Sequence, residues 1–246
     1  MKNTPPYNLQ IFGSREEFYQ ASAKLVLALA KEAISKRGRF VIALSGGSSP
    51  EPLYELLAKD PFQHEMPWEN TFVFWGDERF VPTDDERSNA HRAWQLLLEK
   101  VPLSAAQIYQ IGSSLTPEQE ARKYENTVFS FFGKAHPVFD LILLGLGENG
   151  HTASLFPETP VLQELSPGIR AVFPADETIP RITMTAPLIN LARRILFLVS
   201  GSNKAYAVKS VLGAEYNPSK FPAQLISPKS GHLTWHLDSD AAAKLP

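Results

Sequence analysis

The sequence predicts an α/β fold: one domain in which a mainly parallel sheet lies between helices. Three observations carry that expectation. Short apolar, β-branched runs alternate with stretches of helical periodicity along most of the chain. Several runs lack polar alternation, as strands covered on both faces do. The 246 residues, 43% hydrophobic and 20% charged, can build a full core and exclude disordered, collagen-like and coiled-coil classes.

Asn8 to Phe12 reads as the first strand. Phe18, Ala21, Leu25, Ala28 and Leu29 then recur at helical spacing until Gly38 ends the helix. Phe40 to Leu44, Thr71 to Trp75, Phe139 to Leu144 and Ile195 to Ser200 are continuous apolar runs expected as buried strands, and Leu233 to Leu237 reads as another. Helices are expected at Asn89 to Leu98, Pro117 to Phe132 and Lys204 to Leu212. Pro157, Pro160, Pro167, Pro174, Pro180 and Pro187 make the middle of the chain loop-rich rather than helical. No linker composition, repeat or low-complexity tract marks a boundary, so residues 1–246 are read as a single domain.

Charge and cysteine usage narrow the partners. With 24 Lys and Arg against 26 Asp and Glu the net charge is -2, which gives no general attraction to nucleic acid or membrane surfaces. Any anionic ligand must be held by local cations. The absence of Cys excludes disulfides, thiolate catalysis and thiolate metal sites and fits the cytoplasm. No signal peptide is legible in the opening residues, and no run approaches the ~20 apolar residues that cross a bilayer.

Four segments can carry chemistry. Ser45-Gly46-Gly47-Ser48 follows an apolar strand and precedes a helix expected near Pro52; glycines there let the backbone approach a phosphate closely. The bland alternative is an ordinary strand-to-helix turn. Gly145-Leu146-Gly147-Glu148-Asn149-Gly150-His151 matches the glycine spacing of dinucleotide sites, yet Pro157 and Pro160 leave no room for the long helix such a site needs. What remains is a glycine turn presenting His151, either a general base or a structural histidine bonded to a loop carbonyl. Asp77, Glu78 and Arg79 follow the strand ending at Trp75 and either order a polar pocket or form a solvated charged loop. Arg181 and Lys204 each read alone as surface charges, but with the glycine loop they suffice to balance one monophosphate. His232 and His236 have the spacing of a helical zinc pair, but in a strand they stand ~13 Å apart, too far to share a metal.

Taken together and in order, these segments resemble one family, the 6-phosphogluconolactonases, relatives of the glucosamine-6-phosphate deaminases. The likeness rests on Leu44 to Ser48, Gly76 to Arg79 with Val81-Pro82 and Ser88-Asn89, Gly145 to Gly147 through Gly150 to Pro157, Arg181 to Thr183, Gly201 to Ala205, and Phe221 to Gln224. The resemblance implies a Rossmann-like parallel sheet between helices, and hydrolysis of 6-phospho-D-glucono-1,5-lactone in the oxidative pentose phosphate pathway without metal or organic cofactor. It implies His151 as general base with Asp77 in the catalytic set, and Ser45, Gly46, Gly47, Ser48, Arg79, Arg181 and Lys204 around the phosphate, Asp77 and Arg79 also ordering the pocket. Two departures stand out. Asn149 replaces the Asp common before Gly-His, so His151 is expected to use another orienting partner. The deaminase relatives carry a Glu where this chain has Phe156, which favours lactone opening over deamination. A deaminase-isomerase and a non-catalytic sugar-phosphate sensor remain as alternatives, and oligomeric state is not legible.

Overall fold

The expected alternation of strands and helices folds into a seven-stranded, wholly parallel sheet and a separate three-stranded antiparallel one. The computed structural model describes residues 7–133, 136–175, 177–213 and 215–245. In chain order the elements are β1 (Asn8–Phe12), α1 (Arg15–Arg37), β2 (Phe40–Leu44), α2 (Glu51–Leu57), α3 (Phe62–Glu65), β3 (Thr71–Trp75), β4 (Asp77–Arg79), α4 (Asn89–Leu96) and β5 (Ile108–Tyr109). Then come α5 (Pro117–Phe132), β6 (Leu141–Leu144), β7 (Ile169–Val172), β8 (Arg181–Met184), α6 (Ala186–Ile189), β9 (Arg194–Val199), α7 (Ala205–Gly213), β10 (His232–Asp238) and α8 (Ser239–Ala242).

Ser14 caps α1 by accepting from the Glu17 N–H, and Gly38 closes it in the left-handed conformation, its N–H reaching the Ile34 carbonyl. Every residue of β2 and β6 is buried, as central parallel strands require. Large rings fill the core; Phe197 and Trp235 on neighbouring strands stack with centroids 3.7 Å apart.

Several boundaries differ from expectation. β6 starts at Leu141 rather than Phe139, because the Asp140 carboxylate turns back to accept the Val41 N–H and the Arg37 guanidinium. α4 ends at Leu96 rather than Leu98: Leu97 leaves helical geometry and a 3-10 turn follows before Pro102. Lys204 lies in a 3-10 turn, and α7 starts one residue later. No helix forms after His151; residues 152–155 make a tight turn closed by a Thr152–Leu155 bridge. The Pro-rich middle does contain structure, since β7 and β8 pair with each other and β8 pairs with β4.

The sheet order is β1-β10-β9-β6-β2-β3-β5. From β2 the chain runs outward through β3 and β5, then returns to β6 on the other side of β2 and runs outward again. Between β2 and β6 the connections diverge, which opens a crevice at the strand carboxyl ends, the place where open α/β sheets bind ligands.

Candidate functional site

The loops leaving β2, β3, β6 and β9 all end at that crevice, and the small antiparallel sheet covers it. Their residues line one cavity of about 260 Å³, including Ser45, Gly46, Gly47, Ser48, Asp77, Arg79, His151, Arg181 and Lys204. The residues expected around the phosphate and the reacting carbon therefore meet in one place.

The glycine loop is held at its root by Tyr54, whose hydroxyl donates to the Ser45 carbonyl (2.6 Å) and accepts the Ser45 N–H (3.1 Å). Gly47 has φ of 98°, a conformation costly for any residue with a Cβ. Ser49 Oγ reaches the Ser200 N–H at 3.4 Å, tying this loop to the end of β9. There the Gly201 N–H donates to both oxygens of buried Asp238 at 3.0 Å, which fixes the turn carrying Lys204.

The turn after β6 sets the imidazole. The Gly147 N–H donates to the His151 carbonyl (2.8 Å) and the Gly150 N–H to the Gly147 carbonyl (2.9 Å). An added Cβ on Gly147 would lie 2.1 Å from His151 Nδ1, so the ring occupies space only glycine leaves free. The expectation of another orienting partner is corrected here: Asn149 itself holds the ring, its Oδ1 lying 2.6 Å from Nδ1 and 3.2 Å from the His151 main-chain N–H. A main-chain N–H can only donate, so the shared atom is an acceptor. Nδ1 therefore carries the proton, and Nε2 keeps its lone pair. An amide oxygen substitutes for a carboxylate in orientation while adding no negative charge.

Phe156 packs on the ring with centroids 4.4 Å apart, where the deaminase relatives were expected to place an acid. Burial, and then the nearby charges of Lys204, Arg181 and Arg79, push His151 down from 6.5 to about 4. The imidazole is neutral throughout the physiological range. Burial also lowers Lys204, with Glu148 opposing the change.

The segment expected as either a pocket wall or a solvated loop is strand β4, and two of its residues are buried. Asp77 accepts from Ser154 Oγ at 2.6 Å, and burial raises its carboxyl despite that bond and the nearby Arg79 and Arg181. Glu78, named in the sequence with Asp77 and Arg79, lies beneath the wall rather than in it: its carboxylate collects the N–H groups of Arg79, Asn89 and Ala90 and the Ser88 hydroxyl, joining β4 to the start of α4. Arg79 lies directly opposite Arg181 across the β4–β8 ladder. Arg181 is engaged by Glu177 and by the Ile179 carbonyl, and Glu177 also lines the cavity.

Sequence reasoning missed the supports: Tyr54, Ser154, Glu177, Asp238, and Tyr124, whose hydroxyl brackets Trp75 as Tyr54 brackets Ser45. Except for Glu177, these partners are remote in sequence or act through backbone groups, so no spacing announces them. His236 is buried in β10 and His232 is exposed at its start, in keeping with the expected strand.

A profile of the family described as glucosamine-6-phosphate isomerases/6-phosphogluconolactonase matches residues 13–235. A 6-phosphogluconolactonase of Synechocystis is 44% identical over 219 residues, covering 87% of this chain and 88% of its own. One of Nostoc is 40% identical over 228 residues, covering 91% and 92%. The solved structure of 6-phosphogluconolactonase from Trypanosoma brucei superposes with a TM-score of 0.86 at 26% identity, covering 98% of this chain and 99% of that one.

Proposed function

The chain belongs to the family of glucosamine-6-phosphate isomerases and 6-phosphogluconolactonases, and from that premise we propose its reaction and the residues that perform it. It is a hydrolase of a phosphorylated sugar lactone: water opens 6-phospho-D-glucono-1,5-lactone to 6-phospho-D-gluconate, a step of the oxidative pentose phosphate pathway. The observation that carries the assignment of roles is the meeting of an anion cradle and a neutral, tautomer-fixed imidazole in one cavity.

The phosphate sits against the Ser45 to Ser48 loop and is balanced by Arg79, Arg181 and Lys204. Binding energy from this remote group holds the lactone ring for reaction. His151 Nε2 takes a proton from water as the oxygen attacks C1. The imidazolium then returns a proton to the ring oxygen as the C1–O bond breaks. A phosphate dianion offsets the cationic field that weakens this base, so His151 is a stronger base in the complex than in the empty cavity. Asp77, braced by Ser154, orders the wall beneath the reacting end. General base catalysis contributes about 10²- to 10⁴-fold, and orientation and stabilisation of the oxyanion by main-chain N–H groups of the Gly145 to Gly150 turn supply the rest.

Phe156 supports hydrolysis over deamination, since it sets an apolar ring against His151 where a ring-opening acid would be needed. Residues 1–246 act as one domain in this reading, and the cytoplasm is its place of action, which cell fractionation tests. Acid release from fresh lactone above the spontaneous rate is the deciding assay for function. His151→Ala should chiefly lower kcat and Lys204→Ala chiefly raise KM. Full activity in both variants, or faster ammonia release from glucosamine 6-phosphate than lactone opening, overturns the proposal.

A further inference from the structure

The cavity holds an electrostatic conflict that the catalytic roles leave unexplained. Arg79 and Arg181 are direct cross-strand partners, and like charges placed opposite each other destabilise a ladder. The Arg181 side chain is only 8% exposed, so water screens it poorly. Its guanidinium is turned toward the Ile179 carbonyl and the carboxylate of Glu177, which is itself 42% exposed on the cavity wall. Arg79 donates to the Arg87 carbonyl. Among the described residues, two other acidic groups nearby are committed elsewhere: Asp77 accepts from Ser154, and Glu148 accepts from Asn203 beside Lys204.

We propose that Glu177 is a built-in stand-in for the substrate phosphate, neutralising Arg181 while the cavity is empty and giving way when the phosphate arrives. The proposal rests on reading the cavity as a sugar-phosphate site. A phosphate dianion outcompetes a single carboxylate for the paired arginines because it brings twice the charge and more acceptor oxygens to the same donors. Glu177, on the exposed side of the pair, can leave into solvent. Its displacement costs part of the binding energy, so Glu177 holds substrate and product affinity below what three cations could deliver, and the phosphorylated product leaves more readily.

The test uses the full chain and inorganic phosphate as probe, with binding followed by calorimetry and lactone turnover measured in parallel. Glu177→Gln should bind phosphate about fivefold more tightly, the upper range for an ion pair with one exposed member, and lower KM by a similar factor without raising kcat. Asp84→Asn removes an equal charge from the exposed loop after β4 without touching Arg181 and should change phosphate affinity by less than about twofold. Unchanged or weaker phosphate binding by Glu177→Gln overturns the proposal. So does an equal gain from Asp84→Asn, which would reduce the effect to overall charge. A wild-type chain inactive on lactone would sink the catalytic reading alone, because the phosphate titration decides the role of Glu177 independently.

Discussion

Replacing Asn149 by Asp should convert a base that is neutral down to about pH 4 into one that titrates near pH 6. The contact at stake is the 2.6 Å bond from His151 Nδ1 to Asn149 Oδ1. A carboxylate there keeps the acceptor and the tautomer but adds a negative charge that favours the imidazolium. At ~4 Å between charge centres and an effective dielectric of 20, the attraction is about 4 kcal/mol, or roughly three pH units. Keeping the new carboxylate ionised beside a half-buried ring costs part of that, leaving an expected rise of about two. The acid limb of kcat/KM reports the free enzyme and the free substrate, so once divided by the dianionic fraction of the substrate phosphate, whose second pKa is about 6, it should move from near 4, where burial and the three cations hold the wild-type histidine, to about 6. Initial-rate measurements of acid release, corrected for spontaneous opening at each pH, give that limb directly. Asn149→Ala, which loses the orienting bond without adding charge, should lower kcat while the limb stays near 4. An unmoved limb in Asn149→Asp would mean that His151 is not the titrating base or that residue 149 does not hold it.

Gly147→Ala should lower kcat by at least about 10²-fold with little loss of stability, because its Cβ would occupy the place of His151 Nδ1; near-normal turnover would contradict the ring position. His236 is 1% exposed, donates from Nδ1 to a Ser22 hydroxyl whose own proton goes to the Phe18 carbonyl, and is pushed by burial from 6.5 to about 4. Its folded form resists protonation, so the unfolded chain binds more protons between those values and stability falls as pH drops through the window, by on the order of 3 kcal/mol from this residue. His151 acts in the same direction. Urea midpoints followed from pH 7 down to about 4 should therefore decline less steeply in His236→Leu, and parallel slopes would refute the assignment.

Six of the seven strands of the main sheet were legible, the central ones as apolar runs that only a two-sided cover explains, as in β2 and β6; β5, two residues long, was not. The small sheet was not. β4 reads Asp-Glu-Arg, and its burial depends on Glu78 finding four donors, three of them from residues 88–90, which no local pattern encodes. β7 and β8 have four residues each among prolines, too short to show a period. The loops that line the cavity were visible because glycine turns follow buried strands. Their convergence depends on strand order, with β6 inserted between β2 and β9, which is a property of the whole chain. The role of Asn149 was misjudged because a side-chain amide and a carboxylate offer the same acceptor geometry and differ only in charge.

The most direct measurement is a crystal structure of the chain with 6-phosphogluconate bound. The account predicts the phosphate between the Ser45 to Ser48 loop and the cations Arg79, Arg181 and Lys204, with the C1 end of the product facing His151 Nε2. Product bound with C1 remote from His151, or with its phosphate outside the glycine loop, would contradict it.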